Sequence, residues 1–275
     1  KMQACLDKLV AWCDENDLTI NIQKTKAMYF YKSQDVEAKR QCTMNPPKFF
    51  IYGSEIENVS SFKYLGIIFD NCLSFKYHFA AVENKANAAL ARMYSIRRLL
   101  PENVLKIFIS AFVMSIFDYG IVIWGVQADS DLQKLQDKVN RFICTYFQPK
   151  WMKKKGKGIS SYVTDITQYF RRLDLLTIFE RRKLMLIKFV YRFGDNDMFK
   201  GWYKRSHGAT KSRPKAIVPT FNAQVYKKSI RCNTIHGWNS FFEIRTNSLT
   251  NEKENFIDKV KEYLLKLRSN IYLLY

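Results

Sequence analysis

From near residue 73 onward the apolar pattern of this chain keeps to a helical period, and that lasting change limits the fold more than any other feature. Before it, short stretches rich in β-branched and aromatic residues alternate with turn signals. Residues 19–22 and 27–31 read as strands, 33–47 as a polar loop ending in Pro46-Pro47, and 49–59 as a hairpin turning at Gly53-Ser54. Residues 62–69 read as one more strand, broken at Gly66 where the backbone must bend or approach something closely. One helix precedes them, over 2–16, with Met2, Cys5, Leu6, Leu9, Val10, Trp12 and Cys13 at helical spacing.

After residue 73 the helical period takes over. It predicts helices over 74–99, about 101–117 with Pro101 in the first turn, 131–147, 161–170, 174–193 and 252–268. An apolar junction, 118–125, holds Tyr119, Gly120 and Trp124. The fold class is therefore α+β, a small antiparallel β region followed by a mainly helical remainder. The expected domains are 1–72, 73–149 and a basic, mainly helical 150–275.

An apolar share of 47% and an aromatic share of 15% argue for a folded protein and against a disordered basic tail. The formal charge of +20 favours a polyanionic partner, because each phosphate neutralised releases counterions. An anionic membrane surface is the physical alternative, but no helix has the clean basic-apolar division it would need. No apolar run approaches the ~20 residues of a bilayer span, so no membrane partner is expected. Cys5, Cys13, Cys42, Cys72, Cys144 and Cys232 form no C-x-x-C, and His78, His207 and His236 have no ligand spacing, so neither a zinc knuckle nor any other metal site is expected. Reduced thiols in an intracellular protein are the plain reading.

Two tracts carry the densest positive charge. Lys150, Lys153, Lys154, Lys155 and Lys157 surround the glycines of a loop beside Trp151. Lys204, Arg205, Lys211, Arg213, Lys215, Lys227, Lys228 and Arg231 interleave with Trp202, Tyr203 and Tyr226, and no acid occurs between Asp197 and Glu243. Basic charge beside aromatic planes suits single strands or loops, whose bases stack. Arg92, Arg97 and Arg98, on the helix predicted over 74–99, could meet phosphates without reading bases, although they share no single stripe. A charge run of this kind is otherwise only a solvated face.

Two motifs carry a resemblance. Trp12-Cys-Asp-Glu-Asn16-Asp-Leu-Thr-Ile-Asn21-Ile-Gln-Lys24-Thr25 is followed some forty residues on by Phe62-Lys63-Tyr64-Leu65-Gly66. In that order the pair resembles the end of the palm of non-LTR, LINE-type retrotransposon reverse transcriptases. Further on, Ser115-Ile-Phe-Asp118-Tyr119-Gly120-x-x-x-Trp124-Gly125 and Leu132-x-x-Leu135-Gln136-x-x-x-Asn140-Arg141 are similar to the stretch after the thumb in Jockey-like elements. Tyr226 to Arg231, Trp238-Asn239 and Ile244-Arg245 resemble their terminal region.

The resemblance implies the end of a palm over 1–72, then thumb and connector, then a basic C-terminal region. It implies an RNA-directed DNA polymerase as parent, using Mg²⁺ and deoxynucleotides, with RNA and a primer-template duplex as partners. Lys24 aligns with the lysine assigned as general acid toward pyrophosphate, although by its residues alone it is a solvated lysine in a polar turn. Lys63, Tyr64 and Gly66 align with the strand beside the primer terminus; otherwise they form an ordinary half-buried strand. The family's metal-binding aspartates lie upstream of the first motif. The expectation is a C-terminal fragment, its N-terminus a cut through a helix, that grips template and primer without binding metal itself. The alternative is a non-catalytic RNA- or DNA-binding subunit retained in a ribonucleoprotein. The family implies residence in nucleus and cytoplasm as such a particle.

Overall fold

The computed structural model describes residues 1–32, 34–125, 129–147 and 160–193, with Val260, Lys261 and Leu264. It is α+β. The chain divides into two compact units, Lys1–Ala81 and Val82–Tyr275.

The first unit opens on helix α1 (Met2–Glu15). Residues 19–22 and 27–31 yield only a two-residue strand, β1 (Lys26–Ala27), because Ile22–Lys24 closes into a 3₁₀ turn. The polar stretch read as a loop contains helix α2 (Val36–Met44). Its start is a side-chain cap, since the Asp35 carboxylate accepts from Ala38 N–H at 2.9 Å. Composition pointed to a loop; the cap outweighed it.

The expected hairpin exists but is short. Strands β2 (Phe50–Ile51) and β3 (Ser54–Glu55) pair antiparallel around Tyr52 and Gly53, both at positive φ (50° and 74°). That is the type I′ geometry matching strand twist. After Ile56 the chain changes partner: β4 (Glu57–Asn58) runs parallel to β1, with a Lys26–Glu57 ion pair at the register position. The open side of β2 is occupied by a side chain. Gln3 Nε2 donates to Phe50 O at 2.8 Å and Phe50 N–H donates to Gln3 Oε1 at 3.0 Å.

Residues 62–69 are not one strand. They form a tight antiparallel hairpin, β5 (Ser61–Tyr64) and β6 (Ile67–Asp70), with Leu65 and Gly66 at φ 46° and 83° in the turn. Gly66 thus reverses the chain where the sequence suggested only a break, and its positive φ favours glycine.

The boundary between units falls inside α3 (Lys76–Ile96), whose second half buries Val82, Ala86, Leu90 and Met93. Their spacing is that of one helical face. The helix predicted over 101–117 is present as α4 (Glu102–Phe108), a π-helical stretch Ile109–Met114, and α5 (Ser115–Asp118). A short α6 (Ile121–Trp124), then α7 (Asp129–Phe147), α8 (Ser160–Arg172) and α9 (Ile178–Phe193) complete the described helices. Leu105, Ile109, Val113, Phe117, Trp124, Leu132, Leu135, Val139, Phe142, Ile178 and Ile187 make one buried core. Among the described residues, no helix is long and apolar enough to cross a membrane.

Candidate nucleic-acid interface

In the first unit the sequence motifs become two exposed turns. Asn21 Oδ1 accepts Lys24 N–H at 3.0 Å and Thr25 Oγ1 donates to Asn21 O at 2.8 Å, so Asn21 and Thr25 hold the backbone and leave the Lys24 side chain exposed. This is the side-chain-to-backbone pattern expected of such residues. The β5–β6 hairpin projects Lys63, Tyr64 and Leu65 outward; Tyr64 is 60% and Leu65 73% exposed. A half-buried strand would have covered at least the tyrosine. An exposed aromatic ring, an apolar side chain and an ammonium at one hairpin tip are the groups that meet a sugar-phosphate chain or a base plane.

Asp70, at the end of β6, is engaged by the chain that follows it. Its Oδ1 accepts Cys72 N–H (3.1 Å) and Ser74 N–H (3.0 Å), and its Oδ2 accepts Ser74 Oγ–H (3.1 Å) and Phe75 N–H (2.7 Å). The carboxylate folds the link between β6 and α3, where Leu73 and Phe75 both hold positive φ. Among the described residues no three His, Cys, Asp or Glu side chains gather as a metal site would require.

In the second unit α3 presents a basic stripe. Lys85 and Arg92 stand seven residues apart, hence on one face, and both are exposed. The helix's one acid, Glu83, is neutralised by Lys138 of α7 at 3.0 Å, so the exposed face keeps net positive charge. Arg98 is exposed in the 3₁₀ turn after α3, whereas Arg97 curls back, donating to Tyr94 O with its guanidinium 5.8 Å from the Tyr94 ring centre. Lys85 was missed in the sequence. The signal that marks it is its seven-residue spacing to Arg92, which sets both on one helical face.

The downstream motif residues turn out to be scaffolding. Asp118 takes a two-pronged ion pair from Arg181 of α9, and Trp124 Nε1 donates to Tyr119 O at 2.7 Å. Gly120 at φ 64° turns α5 into α6. Arg182 donates to Gly125 O (3.1 Å) and to Asp129 (3.0 Å). Gln136, buried in α7, accepts Ile178 N–H at 2.8 Å and donates to Asn140 at 2.8 Å. Thr177 and Glu180 complete the start of α9 as a reciprocal cap. These long-range partners, Arg181 and Arg182 above all, carry no local sequence signal.

The two dense tracts, Lys150, Lys153, Lys154, Lys155 and Lys157, and Lys204, Arg205, Lys211, Arg213, Lys215, Lys227, Lys228 and Arg231, lie outside the described residues.

No family model matches the chain, and no solved structure does. Curated proteins do. The RNA-directed DNA polymerase from mobile element jockey of Drosophila funebris is 26% identical over 139 residues, which is 49% of this chain and 14% of that protein. The probable RNA-directed DNA polymerase from transposon X-element of Drosophila melanogaster is 28% identical over 145 residues, 50% of this chain and 15% of its own length. That from transposon BS of the same fly is 31% identical over 157 residues, 53% and 16% respectively. The matches thus span a small part of each relative. Over about half its length, this chain resembles the RNA-directed DNA polymerases of non-LTR mobile elements.

Proposed function

We propose that this chain is the palm-end and thumb portion of such a reverse transcriptase and that it grips the sugar-phosphate backbone of template and primer without joining nucleotides itself. The observation that supports this most is the α3 face. Lys85 and Arg92 are exposed along it while its acid is tied up by Lys138. Such a face attracts phosphates and reads no bases. The exposed Lys63–Tyr64 tip and its Gly66 turn suit contact with a primer strand, and Lys24 on its braced turn suits a phosphate. The non-catalytic part of the reading rests on the resemblance, in which the metal-binding aspartates lie upstream of the Asn21–Thr25 motif, and on Asp70 being taken up by the backbone after β6.

Two measurements test the reading. Fluorescence anisotropy with a labelled RNA–DNA hybrid is expected to show affinity that falls steeply with salt, and Lys85→Glu with Arg92→Glu is expected to weaken it ~10–100-fold near ~0.1 M salt, with a shallower salt slope. Charge reversal at Lys134, which pairs locally with Asp131, serves as the control. Unchanged affinity in the double variant, or binding indifferent to salt, would overturn the assignment of α3. Primer extension by the chain alone with Mg²⁺ would overturn the non-catalytic part.

A further inference from the structure

One carboxylate in the second unit holds two ammonium groups from distant parts of the sequence. Asp174 Oδ2 accepts from Lys106 Nζ of α4 and from Lys261 Nζ, each at 2.7 Å. Asp174 is fixed where this requires it. It ends α8 in a left-handed conformation (φ 47°), with Asp174 N–H donating to Arg171 O at 2.9 Å and Leu175 N–H to Phe170 O at 2.8 Å. That double bond pattern is the Schellman stop, which leaves the side chain of its left-handed residue projecting from the helix end. Beside it, Arg172 of α8 pairs with Glu102, one helical turn before Lys106 on α4. The α4–α8 contact is therefore already neutral with Lys106 and Asp174 alone, and Lys261 is a third member.

Lys261 does not arrive alone. Val260 is 0% and Leu264 3% exposed, so the lysine that reaches Asp174 stands next to one buried side chain and near a second one helical turn from it. Desolvation on its own would push the Asp174 carboxyl up, yet the hydrogen bonds from the two lysines outweigh it and hold the group below its ordinary value.

We propose that Asp174, with Lys106, is a latch that fastens the C-terminal segment at Lys261 onto the helical bundle. The latch ties Lys261 to the body that carries Asp174 and Lys106, across 87 positions of sequence. The latch stands apart from the nucleic-acid reading, because it concerns how the chain is tied together.

The test uses the full chain with a specific protease site inserted after Lys215. After cleavage, the C-terminal piece is expected to stay with the bundle through gel filtration at low salt. Lys261→Glu, which sets a carboxylate against Asp174, is expected to lower the retained fraction ~10-fold. Asp174→Lys combined with Lys261→Glu restores one acid between two lysines and is expected to recover most of the retention. Circular dichroism of each uncut variant checks that the helices form. Separation of the two pieces of the cleaved wild-type chain, or equal retention by a folded Lys261→Glu variant, would overturn the latch. Failure of the swapped pair to recover retention would also count against it, because packing by Val260 and Leu264 alone would be insensitive to which side bears the acid.

Discussion

Asp70→Asn is expected to destabilise the first unit by on the order of 3–5 kcal/mol, seen as a large drop in the urea midpoint of its transition. The asparagine keeps one carbonyl oxygen but presents an NH₂ where Asp70 Oδ2 now accepts Phe75 N–H at 2.7 Å. A donor then faces a donor in a site only 6% exposed, and Ser74 Oγ–H loses the same acceptor. Two residues of the link, Leu73 and Phe75, already hold a left-handed backbone that non-glycine side chains rarely adopt. The four hydrogen bonds to the carboxylate offset that strain. With few buried apolar side chains in this unit to compensate, the loss is a large part of its stability. If Asp70 instead served a metal, the asparagine variant would melt close to the wild type; a midpoint within error of the parent would sink the structural role.

Gly125→Ala is expected to be at least as damaging to the second unit. A Cβ at Gly125 would sit 2.2 Å from Ile121 O, a backbone atom that cannot rotate away. Relief requires the last turn of α6 to move. That turn carries Trp124, fully buried, and the Gly125 carbonyl that receives Arg182. A shift there disturbs the Arg181–Asp118 and Arg182–Asp129 pairs on either side. The expected cost is ~3 kcal/mol or more, with a lowered thermal midpoint and loss of the near-ultraviolet signal of the buried indole. Retention of both in the alanine variant would show that the helix end is more accommodating than its geometry indicates.

The helical half was largely legible because its elements announce themselves locally. Leu132, Leu135, Val139, Phe142 and Ile143 share one face in sequence and in space. What was not legible depends on partners far away or on single caps. α2 rests on the Asp35 cap within an otherwise polar stretch. Residues 62–69 alternate well enough to read as one strand, and only the paired positive φ of Leu65 and Gly66 shows the reversal. The parallel pairing of β1 with β4 joins two-residue segments thirty residues apart, below what periodicity can detect. As for the candidate interface, the motif residues Lys24, Lys63 and Tyr64 lie on exposed turns, but the sequence could not separate Arg97, folded onto Tyr94, from Arg92, which faces outward. Nor could they show that Asp118, Trp124, Gln136 and Asn140 serve the scaffold and not a ligand.

The Gln3 amide on β2 has a bearing on how this protein behaves in a test tube. By filling both the donor and the acceptor of Phe50, it acts as a stopper on the strand's bare margin, where another molecule could otherwise add its own backbone. Shortening that glutamine to alanine should therefore show up first as turbidity and growing light scattering on concentration, well before any change in melting.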